Sequence, residues 1–122
     1  MDGEIRSYRD LQVWQQAMEL AKTCYEVTPR FPREELFALT SQIRRAAASV
    51  PANVAEGNGR ETRGDYIHSL RIAQGSLKEL ETHLLLSHQI GIARRDSIQP
   101  VLDQCETVGK MLRGLIRSLQ QK

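Results

Sequence analysis

The chain has 122 residues, with 17 Lys and Arg against 15 Asp and Glu for a net charge of +2, and only 5% of it is aromatic. That length holds one domain with a real core, not two comfortable ones, and it contains no run of about 18 apolar residues that could span a membrane. A near-balanced charge neither demands nor excludes nucleic acid, so a local patch must decide that question.

The start, MDGEIRSYRD, is polar and lacks the apolar region of a signal peptide. Residues 1–8 read as a flexible N-terminus, and the expected location is the cytoplasm. A single domain is expected over 9–120, with helices at about 10–28, 35–57, 63–90 and 97–120. Asp10 is a plausible cap for the first helix. Leu11, Trp14, Ala17 or Met18, Ala21, and Cys24 or Tyr25 recur at spacings of three and four, which makes them its core face. Pro29 ends it, and TPRFPREE is a turn-rich connection from which Phe31 and Phe37 are expected to fold back over the bundle end.

The second helix carries the most informative stretch, LTSQIRRAAASVPANVAEGNGR at 39–60. At about 100° per residue, Leu39, Ile43, Ala46, Val50 and Val54 form a core stripe. Gln42, Arg45, Ser49, Asn53 and Glu56 form a polar one. Arg44, Ala48, Ala52 and Ala55 occupy a third, mostly small face. An ordinary surface helix needs one apolar and one polar face, so the extra face suggests an inter-helix or inter-subunit contact. Pro51 lacks a backbone donor and should bend or divide the helix near Ser49. Gly57 and Gly59 are read as its end.

Thr62 or Asp65 can cap the third helix. Tyr66, Leu70, Ala73, Leu77, Leu80 and Leu84 repeat as a heptad seam. Ile72, Gly75, Leu86 and Ile90 lie on another face and imply a second buried surface, within the fold or between subunits. Gly91 ends the helix, and Asp96 is the expected cap of the fourth. Pro100 falls in that helix's first turn, where proline is tolerated. Its core stripe reads Ile98, Val101 or Leu102, Cys105, Val108, Leu112, Leu115 and Leu119. Gly109 and Gly114 suggest close backbone approach. Cys24 and Cys105 read as reduced core thiols. With no strand pattern, the simplest fold is an all-α, antiparallel up-down-up-down four-helix bundle.

No serine occupies a nucleophile elbow. His68, His83 and His88 point about 200°, 260° and 40° around the third helix and do not converge. The Glu-x-x-His pairs of a di-iron bundle are missing, because Glu79 and His83 are spaced i, i+4. EGNGR joins two helices and follows no strand, so it is a cap and turn, not a phosphate loop. No catalytic residue, metal or cofactor is therefore expected. The candidate nucleic-acid contacts are Arg44, Arg45, Arg60 and Arg63 in and after the second helix, with Lys110, Arg113 and Arg117 on one face of the fourth. In one copy these patches are weak. Repeated around a symmetric ring they would sum, as phosphate contacts do.

Four segments then carry a family resemblance: DLQVWQQAMELA at 10–21, the 39–60 stretch, RIAQGSLKELETHLLL at 71–86, and GKMLRGLIRSL at 109–119. The chain resembles the four helix bundle protein family, also called the 23S rRNA intervening-sequence protein family. The resemblance implies a small cytoplasmic bacterial protein. It also relates the chain to the accessory variability determinant of diversity-generating retroelements, a branch with a homopentameric barrel and a basic surface that binds nucleic acid and a reverse transcriptase. On that footing the expectation is a non-enzymatic, ring-shaped homo-oligomer, with a pentamer favoured. RNA or DNA and a reverse transcriptase are its candidate partners, and no membrane is involved. The oligomer interface would use Gln42, Arg45, Ser49, Asn53, Glu56, Ile72, Leu86 and Ile90. The alternative is a protein–protein interaction scaffold that touches no nucleic acid.

Overall fold

A computed structural model describes residues 6–122. Of the expected flexible N-terminus, residues 1–5 lie outside the described range. Residues 6–8 are held. Ser7 and Asp10 form a reciprocal capping box, in which Arg9 N–H donates to Ser7 Oγ (3.2 Å) and Ser7 N–H donates to Asp10 Oδ2 (3.2 Å). A 3-10 turn over Tyr8–Asp10 follows, and Tyr8 packs edge-on against Trp14 at 5.2 Å. Asp10 thus serves this turn, while the first long helix starts at Gln12 with no side-chain cap.

Four helices carry the fold: α1 (Gln12–Val27), α2 (Leu39–Asn58), α3 (Arg63–Gln89) and α4 (Arg95–Gln120). No strand occurs among the described residues. Helices consecutive in sequence pack on one another, and α1 closes the arrangement against α4. One core runs through the middle. Val13, Ala17, Leu20 and Cys24 enter it from α1, and the Leu39, Ile43, Ala46, Val50, Val54 stripe from α2 is buried throughout. The α3 seam from Leu70 to Leu84 and the α4 stripe from Ile98 to Leu119 complete it.

The core face of α1 differs from the sequence reading. Leu11, Trp14 and Ala21 are only half-buried at its margin, and Met18 and Tyr25 are exposed. Two stripes on α1 have the same helical spacing. The aliphatic one is buried in the core, and the aromatic-rich one flanks α2. On α4, Ile116 is buried and Leu115 is half-buried, a shift of one residue.

The segment before α2 also departs from expectation. Phe31 is buried, but Phe37 is 92% exposed. The chain makes a 3-10 turn over Arg33–Glu35, and α2 begins only at Leu39, after Ala38 leaves helical geometry. Glu35 accepts a hydrogen bond from Leu39 N–H (3.3 Å), satisfying one orphan donor of the helix start. That geometry directs Phe37 outward.

Pro51 does not divide α2, which runs unbroken across it. Gly57 lies inside the helix rather than ending it, and Gly59 is the cap residue. At the start of α3, Thr62 Oγ1 accepts from Asp65 N–H (3.1 Å), so of the two candidate caps Thr62 serves and Asp65 supplies the donor. At its end, Gly91 takes φ +83°. Ile92 N–H donates to Ser87 O (2.9 Å) and Gly91 N–H to His88 O (3.1 Å), the paired bonds of a Schellman turn. Asp96 lies in the first turn of α4 and does not cap it. It accepts instead from Arg94 at 3.1 and 3.2 Å.

Candidate nucleic-acid interface

The α2–α3 seam is built from small residues. An added Cβ at Gly57 would lie 2.8 Å from Ser69 Cβ and 2.9 Å from Tyr66 Cδ1, so the helices approach there as closely as glycine allows. Further along, Ser49 Oγ and Ser76 Oγ are hydrogen-bonded at 2.8 Å. Asn53 Nδ2 donates to Ser49 O (2.8 Å) and Ser49 Oγ (3.0 Å). Two members of the polar stripe of α2 therefore work inside the chain: Ser49 joins α2 to α3, and Asn53 braces Ser49 from within α2. Gln42, Arg45 and Glu56 of that stripe are exposed. Gln42 and Arg45 share a small cleft with Ser76 and Glu79 of α3. Ile72, Leu86 and Ile90 stay exposed on α3, at 43%, 41% and 56%.

The seven candidate phosphate-binding cations fall into three groups. Arg44 is half-buried between α1 and α2, with its guanidinium 4.7 Å from the Tyr25 ring and Nε donating to Thr28 Oγ1 (2.9 Å). That is a packing role, worth about 0.5–2 kcal/mol for the cation–π contact. Arg45, one residue on, is exposed.

Lys110 and Arg113 lie along α4. Lys110 pairs with Glu106 at 3.3 Å, an exposed i, i+4 pair of small energetic weight. Arg113 borders a cleft of about 430 Å³ between α3 and α4, together with Lys78, Arg95, Glu81, Asp103 and Glu106. Lys78 is already paired with Glu81 at 3.0 Å, and Arg95 donates to Gln99, which in turn donates to Asp103. Acids offset bases in this cleft, so its field is weak. It was not singled out from the sequence, because its lining comes from two helices and is mixed in sign.

The third group lies at one end of the bundle. Arg63 Nη1 donates to the backbone oxygen of Lys122, which joins the start of α3 to the end of α4. Gln121 N–H bonds to Arg117 O (3.2 Å), so Arg117 stands one turn back from that junction. Arg60 lies in the α2–α3 turn, three residues before Arg63, where it makes an exposed 3.8 Å pair with Glu56. Arg60, Arg63, Arg117 and Lys122 thus share an end. Arg44 and Arg45 are some fifteen residues back along α2, or about 22 Å at 1.5 Å per residue.

The histidines serve local contacts. His83 Nε2 lies 3.4 Å from Glu79, and His88 Nδ1 lies 3.1 Å from Ala93 O. Among the described residues, no three His, Cys, Asp or Glu side chains come together as a metal site, and no helix is long and apolar enough to cross a membrane. Cys24 and Cys105 are free and buried.

Comparison with known proteins matches this architecture to a family. A crystal structure from Bacteroides thetaiotaomicron, described as a protein with unknown function from the S23 ribosomal protein family, superposes with a TM-score of 0.80. It is 24% identical and covers 86% of this chain and 95% of its own, a likeness of fold. No curated protein matches. The family model described as 23S rRNA-intervening sequence protein matches residues 9–114, from the first turn to the last third of α4. The chain belongs to the 23S rRNA-intervening sequence protein family.

Proposed function

We propose that this protein is a non-enzymatic homo-oligomer that binds RNA or DNA through the basic end of its bundle, repeated by symmetry. The observation that supports this reading is the junction of Arg63 with the end of α4, which brings Arg60, Arg63, Arg117 and Lys122 to one end. Glu56, Glu61 and Asp65 lie beside them, so that a single copy is only weakly basic there. A few exposed cations per copy bind phosphate weakly. A ring of copies, a pentamer on the family resemblance, brings several such ends to one strand, and phosphate contacts sum. Arg44 is left out of this surface because it is half-buried against Tyr25 and Thr28 and lies some fifteen residues, about 22 Å, back along α2. Service as an accessory to a reverse transcriptase is the narrower form of the proposal, tested by co-purification of the two proteins.

The test is fluorescence anisotropy with a structured RNA and a single-stranded DNA at about 50 mM salt. Arg63→Glu with Arg117→Glu should weaken binding at least tenfold, and Arg44→Gln should not. Absence of binding by the unmodified protein ends the proposal. A second reading, a protein–protein scaffold, is supported by the exposed Ile72, Leu86 and Ile90 of α3. It predicts that Arg113→Glu with Arg117→Glu leaves function intact, while Ile72→Asp or Leu86→Asp abolishes it.

A further inference from the structure

At the end of the bundle away from Arg63, a small pocket lies between two turns. The 3-10 turn Thr28–Arg30 that leaves α1 forms one side, with Val27, Arg30 and Phe31. The α3–α4 link and the first turn of α4 form the other, with Ile92, Ala93, Arg94 and Ser97. α3 has 27 residues, so the pocket is about 40 Å from the basic end at 1.5 Å per residue.

Both walls are fixed by the backbone. Phe31 is buried, and its N–H donates to Thr28 O (2.9 Å). On the other side Ile92 N–H and Ala93 N–H both donate to Ser87 O (2.9 and 3.0 Å), and His88 Nδ1 lies 3.1 Å from Ala93 O. Gly91, at φ +83°, permits that fold-back. A ligand therefore meets a preformed site and spends little entropy on ordering it.

The lining has two characters. Val27, Ile92 and Ala93 are half-buried against the core and, with Phe31, make an apolar floor. Among the described residues, Arg30 and Arg94 are the charged ones that line the pocket, and no Asp or Glu does. The cleft between α3 and α4 differs, because its acids cancel its bases. Arg94 is forked onto Asp96 at 3.1 and 3.2 Å, which offsets its charge. Arg30 is exposed and makes no ion pair among the described residues, so it is the cation left to a ligand. Size sets the other limit. The pocket encloses about 220 Å³. An apolar cavity of roughly 150 Å³ takes a benzene ring, whereas sites for drug-sized ligands span about 300–1,000 Å³. This pocket has room for one ring, or a branched chain of similar bulk, with a single anionic group at the rim. A carboxylate matches the planar guanidinium fork of Arg30. A bare phosphate would place a strongly hydrated charge over the apolar floor and gain nothing from it.

We infer that this pocket is a small-molecule site for a compact apolar carboxylate, such as an arylacetate. The apolar body lies against Phe31 and Ile92, and the carboxylate accepts from Arg30 and from the Ser97 hydroxyl. The site is independent of the nucleic-acid reading, and either can fail without the other.

The experiment is an amide NMR titration of the full chain with phenylacetate. Phenylacetamide keeps the body without the charge, and inorganic phosphate supplies the charge without the body. The expected result is saturable shifts at Phe31, Ile92, Ala93 and Ser97, with a Kd of about 1 mM or tighter and at least tenfold weaker binding of both comparison compounds. Arg30→Gln alters an exposed side chain, so the circular dichroism melt should be unchanged. It should weaken phenylacetate at least tenfold and leave phenylacetamide where it was. Ala93→Leu fills the pocket and should abolish the shifts with either compound. Lack of saturation by about 20 mM phenylacetate overturns the inference, as do shifts centred elsewhere on the chain. Phosphate or phenylacetamide binding as tightly as phenylacetate overturns it too. So does an Arg30→Gln variant that binds phenylacetate like the unmodified protein, or that weakens both aryl compounds equally.

Discussion

Replacing Gly57 by alanine tests how α2 and α3 are held together. In an open helix position this change is favourable by up to about 1 kcal/mol, because glycine spends more backbone entropy than alanine. At Gly57 the new Cβ would meet Ser69 Cβ at 2.8 Å, Tyr66 Cδ1 at 2.9 Å and the Tyr66 backbone oxygen at 3.2 Å. Carbon atoms prefer about 3.5–4.0 Å, so α3 must retreat by roughly 0.7 Å. Ser69 Cβ and the Tyr66 oxygen are fixed to the backbone and cannot rotate away. Overpacking of this kind costs about 1–3 kcal/mol, and the upper part of that range applies. After the helix-propensity gain, Gly57→Ala should be destabilising by about 1–2 kcal/mol, which lowers the melting temperature by roughly 5 °C in a domain of this size. Gly114→Ala is the matched control: it too is within a helix, but nothing lies within 4 Å of its added Cβ. It should stabilise by up to about 1 kcal/mol. Thermal and urea unfolding followed by circular dichroism reads both. The same stabilising sign at both positions would refute the close approach of α2 and α3.

Thr62→Ala removes the hydroxyl that accepts from Asp65 N–H and should cost about 1 kcal/mol in urea unfolding. Leu80→Ala empties a fully buried seam position and should cost about 2–5 kcal/mol by the same measurement. Burial pushes the Cys24 thiol up from 9.0 to about 12. The Cys105 thiol is raised further, by burial first and then by the Cys24 and Glu81 charges. Because both folded values are raised, the folded chain keeps protons that the unfolded chain gives up. Stability is full below pH 9 and falls between pH 9 and about 12, by up to about 1.4 kcal/mol per pH unit for each thiol. Unfolding measured from pH 8 upward should show that decline, and Cys24→Ala should make it shallower. An unchanged slope would mean that Cys24 does not contribute to it.

Much of the fold was legible where one local rule acted alone. The α2 core stripe and the α3 heptad seam rest on strong periodicity, and the Thr62 cap and Gly91 turn rest on local backbone chemistry. The α1 core face was not legible, because Trp14 and Met18 repeat at the same spacing as Val13 and Ala17. Only the placement of α2 and α4 decides which stripe is covered. Phe37 misled because apolarity predicts burial, while a turn ending at Ala38 decides direction. Ser49 and Asn53 were visible as a polar contact stripe, but the partner of Ser49 on α3, Ser76, is 27 residues away, and Asn53 turns back onto Ser49. The cation groups sort out only in three dimensions. Arg44 and Arg45 are sequence neighbours with different surroundings, and Arg63 meets the end of α4 across 59 residues.

The central claim is that symmetry turns a small basic end into a nucleic-acid surface. Its most direct test is the affinity for a structured RNA measured from about 50 to 200 mM salt. Each neutralised phosphate contributes a slope of about −0.9 to log K against log salt. The four cations Arg60, Arg63, Arg117 and Lys122 of a single copy would give no more than about −3.6. The expected slope is steeper than that, and it becomes shallower when Arg63 and Arg117 are reversed in charge. No binding at the lowest salt, or a slope that those substitutions leave unchanged, would contradict the claim.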